Sequence, residues 1–311
     1  MALFPRRDGR CAAAALLTLS ILLCGCYSRP QPKSPSDLAK QFSGARAFEH
    51  VQQLVDCGPR PPGSPGIEKA RSYITTQLQR CGWRTNEQAF TDQTPRGPMR
   101  FVNLIARFDA AKTESTGVFL LCSHYDTKLF EHAQFVGAND GGSSTGLLLE
   151  LARVLALEPR LAARIELVFF DGEEAYEQFS ESDGLYGSRY FAGKIADERR
   201  AQRFRGGMLF DMVGDRALNI TLPRDSPAQM VHDLFAAGDA LNWRKHFGYF
   251  TGGITDDHTP LNAIGIPTID IIDFDYAPWH TPGDTIDKLS PDSLQIVGSV
   301  AAYYLAAFAF K

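Results

Sequence analysis

The chain has 311 residues, of which 44% are hydrophobic and 22% are charged, and its formal net charge is -4. This composition is ordinary for a globular protein, and the length allows one large domain or two small ones. The slight acidic excess gives no electrostatic reason to expect a nucleic-acid partner.

The N-terminus predicts an exported protein with a lipid anchor. Three arginines precede an apolar run that ends in LLCGC, which is the layout of a secretory signal. The Leu, Gly and Cys of that ending resemble a bacterial lipobox, after which Cys26 would become the lipidated N-terminus on the periplasmic side of a membrane. The alternative is a soluble periplasmic protein that is cut nearby. We therefore assign 1–25 to a lipoprotein-type signal peptide, 26–37 to a flexible Pro/Ser-rich tether and 38–311 to one folded domain.

The cysteines of the predicted domain give no sign of a metal knuckle. If Cys26 carries lipid, only Cys57, Cys81 and Cys122 remain, and three cysteines allow at most one disulfide. We expect all three to be small buried residues.

Strand and helix patterns alternate along the remaining chain, which predicts one α/β domain around a mostly parallel sheet. A helix is predicted over 66–82, and the next two apolar runs, 101–108 and 117–126, are predicted as adjacent strands. Residues 143–157 are apolar nearly all round, which indicates a buried helix with Ser143 as its N-cap candidate. The later predicted elements are strands at 164–170, 206–214 and 267–273 and a helix at 226–241.

The apolar C-terminal segment, 291–310, could be mistaken for a membrane span. Pro291 and Asp292 at its start, Gln295 and the many small residues instead favour a helix that is docked on the core.

Polar residues stand where five of the apolar segments end. Ligands of an open parallel sheet bind beyond the carboxyl ends of its strands, so residues at those ends are expected to converge. A lone aspartate after a strand is more often a turn or cap residue, but the whole set is more specific. Two imidazoles and several carboxylates are ligands that Zn²⁺ accepts. The residues are His124, Asp126, Asp140, Glu173, Glu174, Asp211 and His280.

The crowding of Asp171, Glu173 and Glu174 at the end of one buried strand indicates the same kind of site. Carboxylates in such a position repel one another and lose hydration. A divalent cation would offset that repulsion, and a proton on one of them would relieve it.

The order His-x-Asp, Asp, Glu-Glu, Asp, His is that of the co-catalytic zinc aminopeptidases. The flanking motifs resemble one branch more closely, the animal-type glutaminyl-peptide cyclotransferases: CSHYDTK, FVGAND, FFDGEEA, DGLYGSRYFA, DDHTPL and PWHTPGDT occur in family order within 56–289. The resemblance implies an α/β domain with a central mixed, mostly parallel sheet flanked by helices, and one catalytic zinc. It also implies an acyltransferase that converts the N-terminal glutamine of peptides to pyroglutamate and releases ammonia.

The resemblance carries over residue by residue. Asp140, Glu174 and His280 would bind zinc and leave a fourth position open for a substrate oxygen. Glu173 matches the general acid/base of the family. Asp211, as a catalytic residue, matches an acid that hydrogen-bonds around the reacting amine.

Substrate-binding residues are carried over in the same way. Asp256 matches the other acid near the amine, and Trp279 matches an aromatic wall of the pocket. Phe179 stands where the family commonly has Trp, and Tyr276 is a further aromatic candidate.

The remaining polar residues receive simpler interpretations. His124 and Asp126 would either bind a second metal or orient their neighbours, with Asp126 directed to His124 or a backbone amide. His258 is expected to be a structural hydrogen-bonding residue near the site. Three other histidines are expected to be solvated: His132, His232 and His246.

Some positions depart from the family pattern. Thr255 replaces a common Gln, Ser123 replaces a Cys that forms a disulfide in animal members, and the segment NDGGSSTG, which contains Asp140, is closer to the aminopeptidases. We expect these departures, and Phe179, to change substrate affinity and pocket shape more than the type of reaction.

Two alternatives remain. A two-zinc aminopeptidase would use the same residues, because His124 and Asp211 together with the three predicted zinc ligands make up its set of five ligands. Only the flanking motifs favour the cyclase over this alternative. A non-catalytic binding protein would be indicated by the loss of Glu173 or of a ligand, and every matched position is intact.

Overall fold

The computed structural model describes residues 1–4, 34–108 and 117–311. The predicted lipidation site Cys26, most of the signal peptide and most of the tether lie outside the described residues. Helix α1 (Pro35–Ala39) is capped by Ser34, so helical structure begins before the predicted domain boundary at residue 38.

A six-stranded sheet is the centre of the described domain. Its strands, in spatial order, are β1 (Trp83–Thr94), β2 (Gly97–Phe108), β4 (Ile165–Phe170), β3 (Val118–His124), β5 (Phe204–Asp211) and β8 (Thr268–Ile272). Strands β3, β4, β5 and β8 are parallel, and β1 and β2 are antiparallel to their neighbours. A second, two-stranded parallel sheet joins β6 (Ile220–Leu222) to β7 (Phe247–Tyr249). The predicted mixed, mostly parallel α/β sheet is confirmed.

The predicted adjacency of the strands at 101–108 and 117–126 is wrong. Strand β4 lies between them, with Ile105 of β2 opposite Val168 and Leu121 of β3 opposite Leu167. Both β3 and β4 are apolar on both faces, because helices cover the two sides of the sheet. Such continuous apolar runs have no alternation that could specify a partner, so the sequence order alone suggested the wrong neighbour.

Helices pack on both faces of the sheet. One face is covered by α2 (Gly44–Asp56), α3 (Pro65–Arg80), α4 (Gly142–Leu155), α7 (Ala228–Ala240) and α9 (Pro291–Ala307), and the other by α6 (Tyr186–Asp197) and α8 (His258–Ala263). A short helix, α5 (Pro159–Ala162), precedes β4, and single 3₁₀ turns occur at Ala201–Arg203, Arg244–His246 and Ile286–Lys288. The sequence patterns did not predict α2, α6 or the short elements.

The C-terminal helix α9 is part of the core, as its polar start predicted. Its side chains Leu294, Val297 and Val300 are buried against the other helices of that face. Of the helices in the described ranges, none has the length and apolar character needed to cross a membrane.

Helix α4 begins at a glycine rather than at the predicted cap Ser143. Gly141 is the N-cap, with a φ of 74°, and a Cβ there would lie 2.6 Å from the carbonyl oxygen of Asp126. Ser143 instead donates its hydroxyl to the carbonyl of Asn139 and accepts the N–H of Val213, at 2.7 and 3.0 Å. These bonds tie the loop before α4 to the end of β5.

The cysteines are less uniform than predicted. Cys57, Cys81 and Cys122 are all free thiols. Cys122 is fully buried in β3, whereas Cys57 and Cys81 are only half-buried because each ends a helix near the surface.

Candidate active site

Three of the predicted site residues meet beyond the carboxyl ends of the parallel strands. Glu174 follows β4, Asp140 lies in the loop before α4, and His280 lies in the loop after β8. The Nε2 atom of His280 is 3.1 Å from Oε2 of Glu174 and 3.5 Å from Oδ2 of Asp140. The backbone of His280 has a φ of 52°, a left-handed conformation that is uncommon for a residue with a side chain.

The donor atoms of this trio fit a divalent cation. Oδ2 of Asp140 and Oε2 of Glu174 are buried and have no hydrogen-bond partner. Two ligand atoms on one tetrahedral zinc lie about 3.4 Å apart when each is about 2.1 Å from the ion, which is close to the distances from His280. Buried carboxylate oxygens without a hydrogen-bond partner are costly at this spacing, so the trio is suited to holding a metal.

Burial shifts the pKa values of all three side chains of the trio. Burial, and then repulsion from Glu174, raises the pKa of Asp140 to about 7. Burial likewise raises the pKa of Glu174 to about 7. Burial lowers the pKa of His280, so its imidazole is neutral, as a metal ligand must be.

His124 lies beside the trio and joins two of the acids. Its Nε2 atom is 3.3 Å from Oδ1 of Asp140 and 3.2 Å from Oδ1 of Asp211. Burial by itself would lower the pKa of His124, but hydrogen bonds to Asp126, Asp140 and Asp211 outweigh it and raise that pKa well above its usual value. The imidazole of His124 is thus surrounded by three carboxylates, those of Asp126, Asp140 and Asp211.

The same side chains also offer a second group of possible metal ligands. His124, Asp140 and Asp211 each present one donor atom, and these atoms lie within 4.8 Å of one another. This group shares Asp140 with the trio. Side-chain geometry therefore permits one or two metal ions.

Asp126 holds the two glutamates in position. Its carboxylate accepts the backbone N–H of Glu173 at 3.2 Å and that of Glu174 at 3.3 Å. Its Oδ1 atom is also 3.4 Å from Nδ1 of His124. Asp126 thus lies where it can orient both partners that the sequence suggested, the histidine and a backbone amide.

The third acid of the crowded segment has its own cation. The carboxylate of Asp171 accepts the backbone N–H of Val102 at 2.7 Å and a guanidinium N–H of Arg71 at 3.3 Å. Gly172, with a φ of 73°, separates it from Glu173 and Glu174. Only the two glutamates contribute to the site, and the sequence did not predict Arg71 as a partner of Asp171.

A small pocket adjoins the trio. It is lined by acids and by apolar or aromatic side chains: Asp140, Glu173, Phe179, Asp211, Met212, Ile254, Thr255, Asp256, Ile272, Phe274, Trp279 and His280. The ring of Trp279 stacks on that of His280, with centroids 4.1 Å apart and an interplanar angle of 27°. The predicted substrate-binding residues Asp256, Phe179 and Trp279 are therefore brought together, and Thr255 lies among them.

Glu173 and Glu174 face different surroundings within this arrangement. Glu174 is directed at His280, whereas Glu173 lines the pocket. Burial raises the pKa of Glu173 well above its usual value. The nearby charge of His124 lowers the pKa of Glu173, and that of Asp256 raises it further. Burial also raises the pKa of Asp256 well above its usual value.

Tyr276 lies elsewhere than predicted. It is buried and is not among the residues that line the pocket, and its hydroxyl donates to Oδ1 of Asp284 at 2.8 Å. The carboxylate of Asp284 accepts the backbone N–H groups of Asn139 and Asp140, at 2.8 and 3.1 Å. Tyr276 therefore braces the loop that carries Asp140 instead of forming a pocket wall.

Two further residues near the site were missed, although both belong to motifs that the sequence displays. Asp284 is the last residue but one of PWHTPGDT, and Lys128 is the last residue of CSHYDTK. The backbone N–H of Lys128 donates to Oε1 of Glu174 at 3.1 Å, and its ammonium lies 3.8 Å from Oε2. The presence of Asp284 and Lys128 in these two motifs was the feature of the sequence that could have indicated that they lie near the site.

The other histidines mostly occupy the predicted environments. His132 and His232 are exposed, but His246 is half-buried, with Nδ1 3.3 Å from the carbonyl oxygen of Leu218. His258 is buried near the site, with Nδ1 3.5 Å from Oδ2 of Asp270, a separation too long for a strong hydrogen bond.

Comparisons with known proteins agree with the geometry. The model of peptidase family M28 matches residues 103–305. A glutaminyl-peptide cyclotransferase-like protein of Bos taurus is 32% identical over 280 residues, which cover 80% of this chain and 72% of that protein. Among solved structures, a glutaminyl cyclase from an Acidobacteriales bacterium is 32% identical with a TM-score of 0.78, covering 89% of this chain and 96% of that one.

Peptidases share this fold as well. A structure described as a Zn-dependent exopeptidase from Parabacteroides distasonis is 26% identical with a TM-score of 0.77, covering 86% of this chain and 98% of that one. The fold alone therefore does not separate the two activities, whereas the sequence relatives do. The chain belongs to peptidase family M28, a family of zinc-dependent enzymes, and within it to the glutaminyl-peptide cyclotransferases.

Proposed function

We propose that the protein converts the N-terminal glutamine of peptides to pyroglutamate and releases ammonia, with the help of one zinc ion. The observation that carries this proposal is the divergence of two adjacent carboxyls. Glu174 points at Asp140 and His280, where a metal would be held, and Glu173 points into the neighbouring pocket. One segment of chain thus supplies both a metal ligand and a proton carrier.

The trio of Asp140, Glu174 and His280 would hold the zinc. Two carboxylates and one neutral imidazole leave an open coordination position, which is the arrangement of catalytic zinc sites. A zinc ion bound there would supply a Lewis acid for the carbonyl oxygen of the substrate side-chain amide. In this assignment His124 would be a hydrogen-bonding neighbour of Asp140 and Asp211 and not a metal ligand.

Glu173 would move the protons of the reaction. The α-amine of the substrate forms a bond to its own side-chain amide carbon, and the bond from that carbon to the amide nitrogen breaks. Glu173 takes a proton from the α-ammonium group and gives it to the departing nitrogen, which leaves as ammonia. The new ring nitrogen then loses its extra proton, which passes through the same carboxylate to solvent. A carboxyl whose pKa is raised by burial suits a group that must both accept and donate near neutral pH.

The remaining pocket residues would bind and orient the substrate. All four residues line the pocket: Asp211 and Asp256 would accept hydrogen bonds from the amine, and Phe179 and Trp279 would form aromatic walls for the compact five-membered conformer. No covalent bond to the enzyme is needed, because the nucleophile is already tethered to the electrophile. The apolar walls also exclude bulk water from the reacting amide.

A two-zinc aminopeptidase remains the second candidate, because His124, Asp140 and Asp211 form another possible metal group. An assay of ammonia release from Gln-peptides, with and without a chelator, separates the two functions. The cyclotransferase should release ammonia, lose that activity in chelator and recover it with added zinc. Rapid release of leucine from leucinamide, with no ammonia from Gln-peptides, would overturn the proposal.

The location of the enzyme follows from the sequence of its N-terminus. We infer export, with a lipid on Cys26 that anchors the domain to a membrane and leaves it facing the periplasm. The Pro/Ser-rich residues before Ser34 would act as the spacer.

A further inference from the structure

The edge of the sheet opposite the candidate active site carries a group of basic side chains, which we call the basic rim: Arg160, Arg164, Arg203, Arg205 and Lys311. Arg160 and Arg164 precede β4, Arg203 and Arg205 lie at the start of β5, and Lys311 is the C-terminal residue. These are the amino ends of parallel strands whose carboxyl ends hold Glu173 and Asp211. Strand β5 alone separates the two edges by roughly 23 Å, at about 3.3 Å for each residue.

Direct contacts and one shared cavity connect four of the five side chains, and Arg203 lies two residues before Arg205 in the chain. A guanidinium N–H of Arg205 donates to the main-chain oxygen of Lys311 at 2.9 Å. The guanidinium of Arg164 lies 3.7 Å from the ring centroid of Phe310, and Arg160, Arg164 and Lys311 line one open cavity. Arg160, Arg203, Arg205 and Lys311 are exposed.

Few acids neutralise this surface. The segments 156–164 and 198–205 together with Lys311 contain seven Arg and Lys residues and two acidic residues, Glu158 and Glu198. Glu198 is paired with Arg200. The chain as a whole has a net charge of -4, and its buried carboxylates are concentrated at the opposite edge. The described domain therefore has a positive end, which lies opposite the candidate active site.

The chain enters the folded domain at the positive end. Ser34 and Pro35, the first residues after the segment 5–33, line the same cavity as Arg160, Arg164 and Lys311. Apolar side chains of that cavity, Leu38 and Phe310 among them, lie between the basic groups. An N-terminal segment that attaches to a membrane would hold this end of the domain next to the bilayer.

We propose that the basic rim docks on a membrane surface that carries anionic phospholipid headgroups, with the candidate active site directed away from the bilayer. Arg and Lys side chains near such a surface are attracted to its phosphates, and the attraction falls with salt. One lipid chain by itself binds a membrane only marginally, and a basic patch is the kind of additional contact that makes anchoring stable.

The test uses the mature chain, residues 26–311, with Cys26→Ser, so that neither the predicted signal peptide nor a lipid is present, in sedimentation with vesicles. Vesicles of phosphatidylcholine alone are compared with vesicles that also contain phosphatidylglycerol. The parent should bind only the anionic vesicles, and high salt should release it. Replacing Arg160, Arg203 and Arg205 together by Gln should weaken this binding roughly 100-fold, at about a factor of five for each residue.

The matched control replaces Lys69, Arg100 and Lys245 by Gln. All three are exposed and lie outside the rim, so the change in net charge is the same. The control should bind like the parent, and thermal unfolding should show that both triple variants are folded. Equal binding to neutral vesicles, unchanged binding of the rim variant or equal weakening of the control would each overturn the proposal. Because the readout is vesicle binding, its outcome is independent of the peptide substrate.

Discussion

Replacing Glu173 by Gln separates the two roles assigned to the adjacent glutamates. Glutamine has nearly the same shape, and the backbone N–H of residue 173 would still donate to Asp126. Glu174 keeps its contact with His280, so the zinc content should remain that of the wild type. The variant loses only the ability to accept and donate a proton.

The expected decrease in turnover equals the contribution of one positioned general acid/base to the rate. Such groups contribute about 10²–10⁴ in rate, or roughly 3–5 kcal/mol of transition-state stabilisation, so kcat should fall by that factor. Because burial and Asp256 already disfavour the ionised form of Glu173, a neutral amide should not lower the stability of the fold. Substrate affinity should change little, since the walls of the pocket are intact.

The assay measures zinc content, KM and kcat on one preparation of each protein. Glu177→Gln is the control, because Glu177 is exposed in the same loop and should tolerate the change without loss of turnover. Near-wild-type kcat in the Glu173 variant, or loss of its zinc, would show that the roles of Glu173 and Glu174 are assigned wrongly.

Four further predictions test other parts of the structure. Glu174→Ala should remove both zinc and activity, since a site with three protein ligands has no spare partner; two equivalents of zinc in the wild type, lost together, would contradict the single-metal assignment. Asp126→Asn should weaken zinc binding by about 10–100-fold, measured by chelator competition, because it loses one of the acceptors that hold the glutamates; unchanged affinity would remove Asp126 from that role. Cys26→Ser should release the protein from the membrane fraction, and a wild type that is already soluble would refute the lipid anchor. Burial lowers the pKa of His50 to about 4, so the folded state binds fewer protons than the unfolded state between pH 6.5 and 4. The free energy of unfolding should therefore decrease as the pH falls through that window, and His50 accounts for up to about 3 kcal/mol of the decrease. In urea unfolding, the decrease in the His50→Gln variant should be smaller by the same amount. An equal decrease in both proteins would contradict this prediction.

The site could be predicted from the sequence because its residues follow apolar strands. Parallel strands end at one edge of a sheet, so His124, Glu174 and Asp211, which are distant in the chain, share that edge. Burial of both faces made β3, β4 and β8 recognisable as apolar runs. Burial of both faces also prevented a prediction of the strand order, because a strand that is apolar on both faces does not specify which strand lies next to it.

Contacts that depend on loop conformation were beyond the sequence pattern. Tyr276 is one of several aromatic residues near His280, and nothing in its spacing shows that its hydroxyl would reach Asp284. The pairing of Arg71 with Asp171 joins residues a hundred positions apart, on a helix and at a strand end. Serine is a preferred N-cap residue, which made Ser143 the predicted cap. The helix instead begins two residues earlier, with Gly141 as the N-cap, where the carbonyl oxygen of Asp126 leaves no room for a Cβ.

A single peptide with an N-terminal glutamine tests the central claim most directly, because the two candidate activities convert it to different products. The purified enzyme and the peptide are incubated together, and the products are identified by mass spectrometry. The account predicts a peptide that keeps every residue, has lost one ammonia and has a blocked N-terminus, with no reaction in chelator. Free glutamine and a peptide shortened by its first residue would contradict it and identify an aminopeptidase.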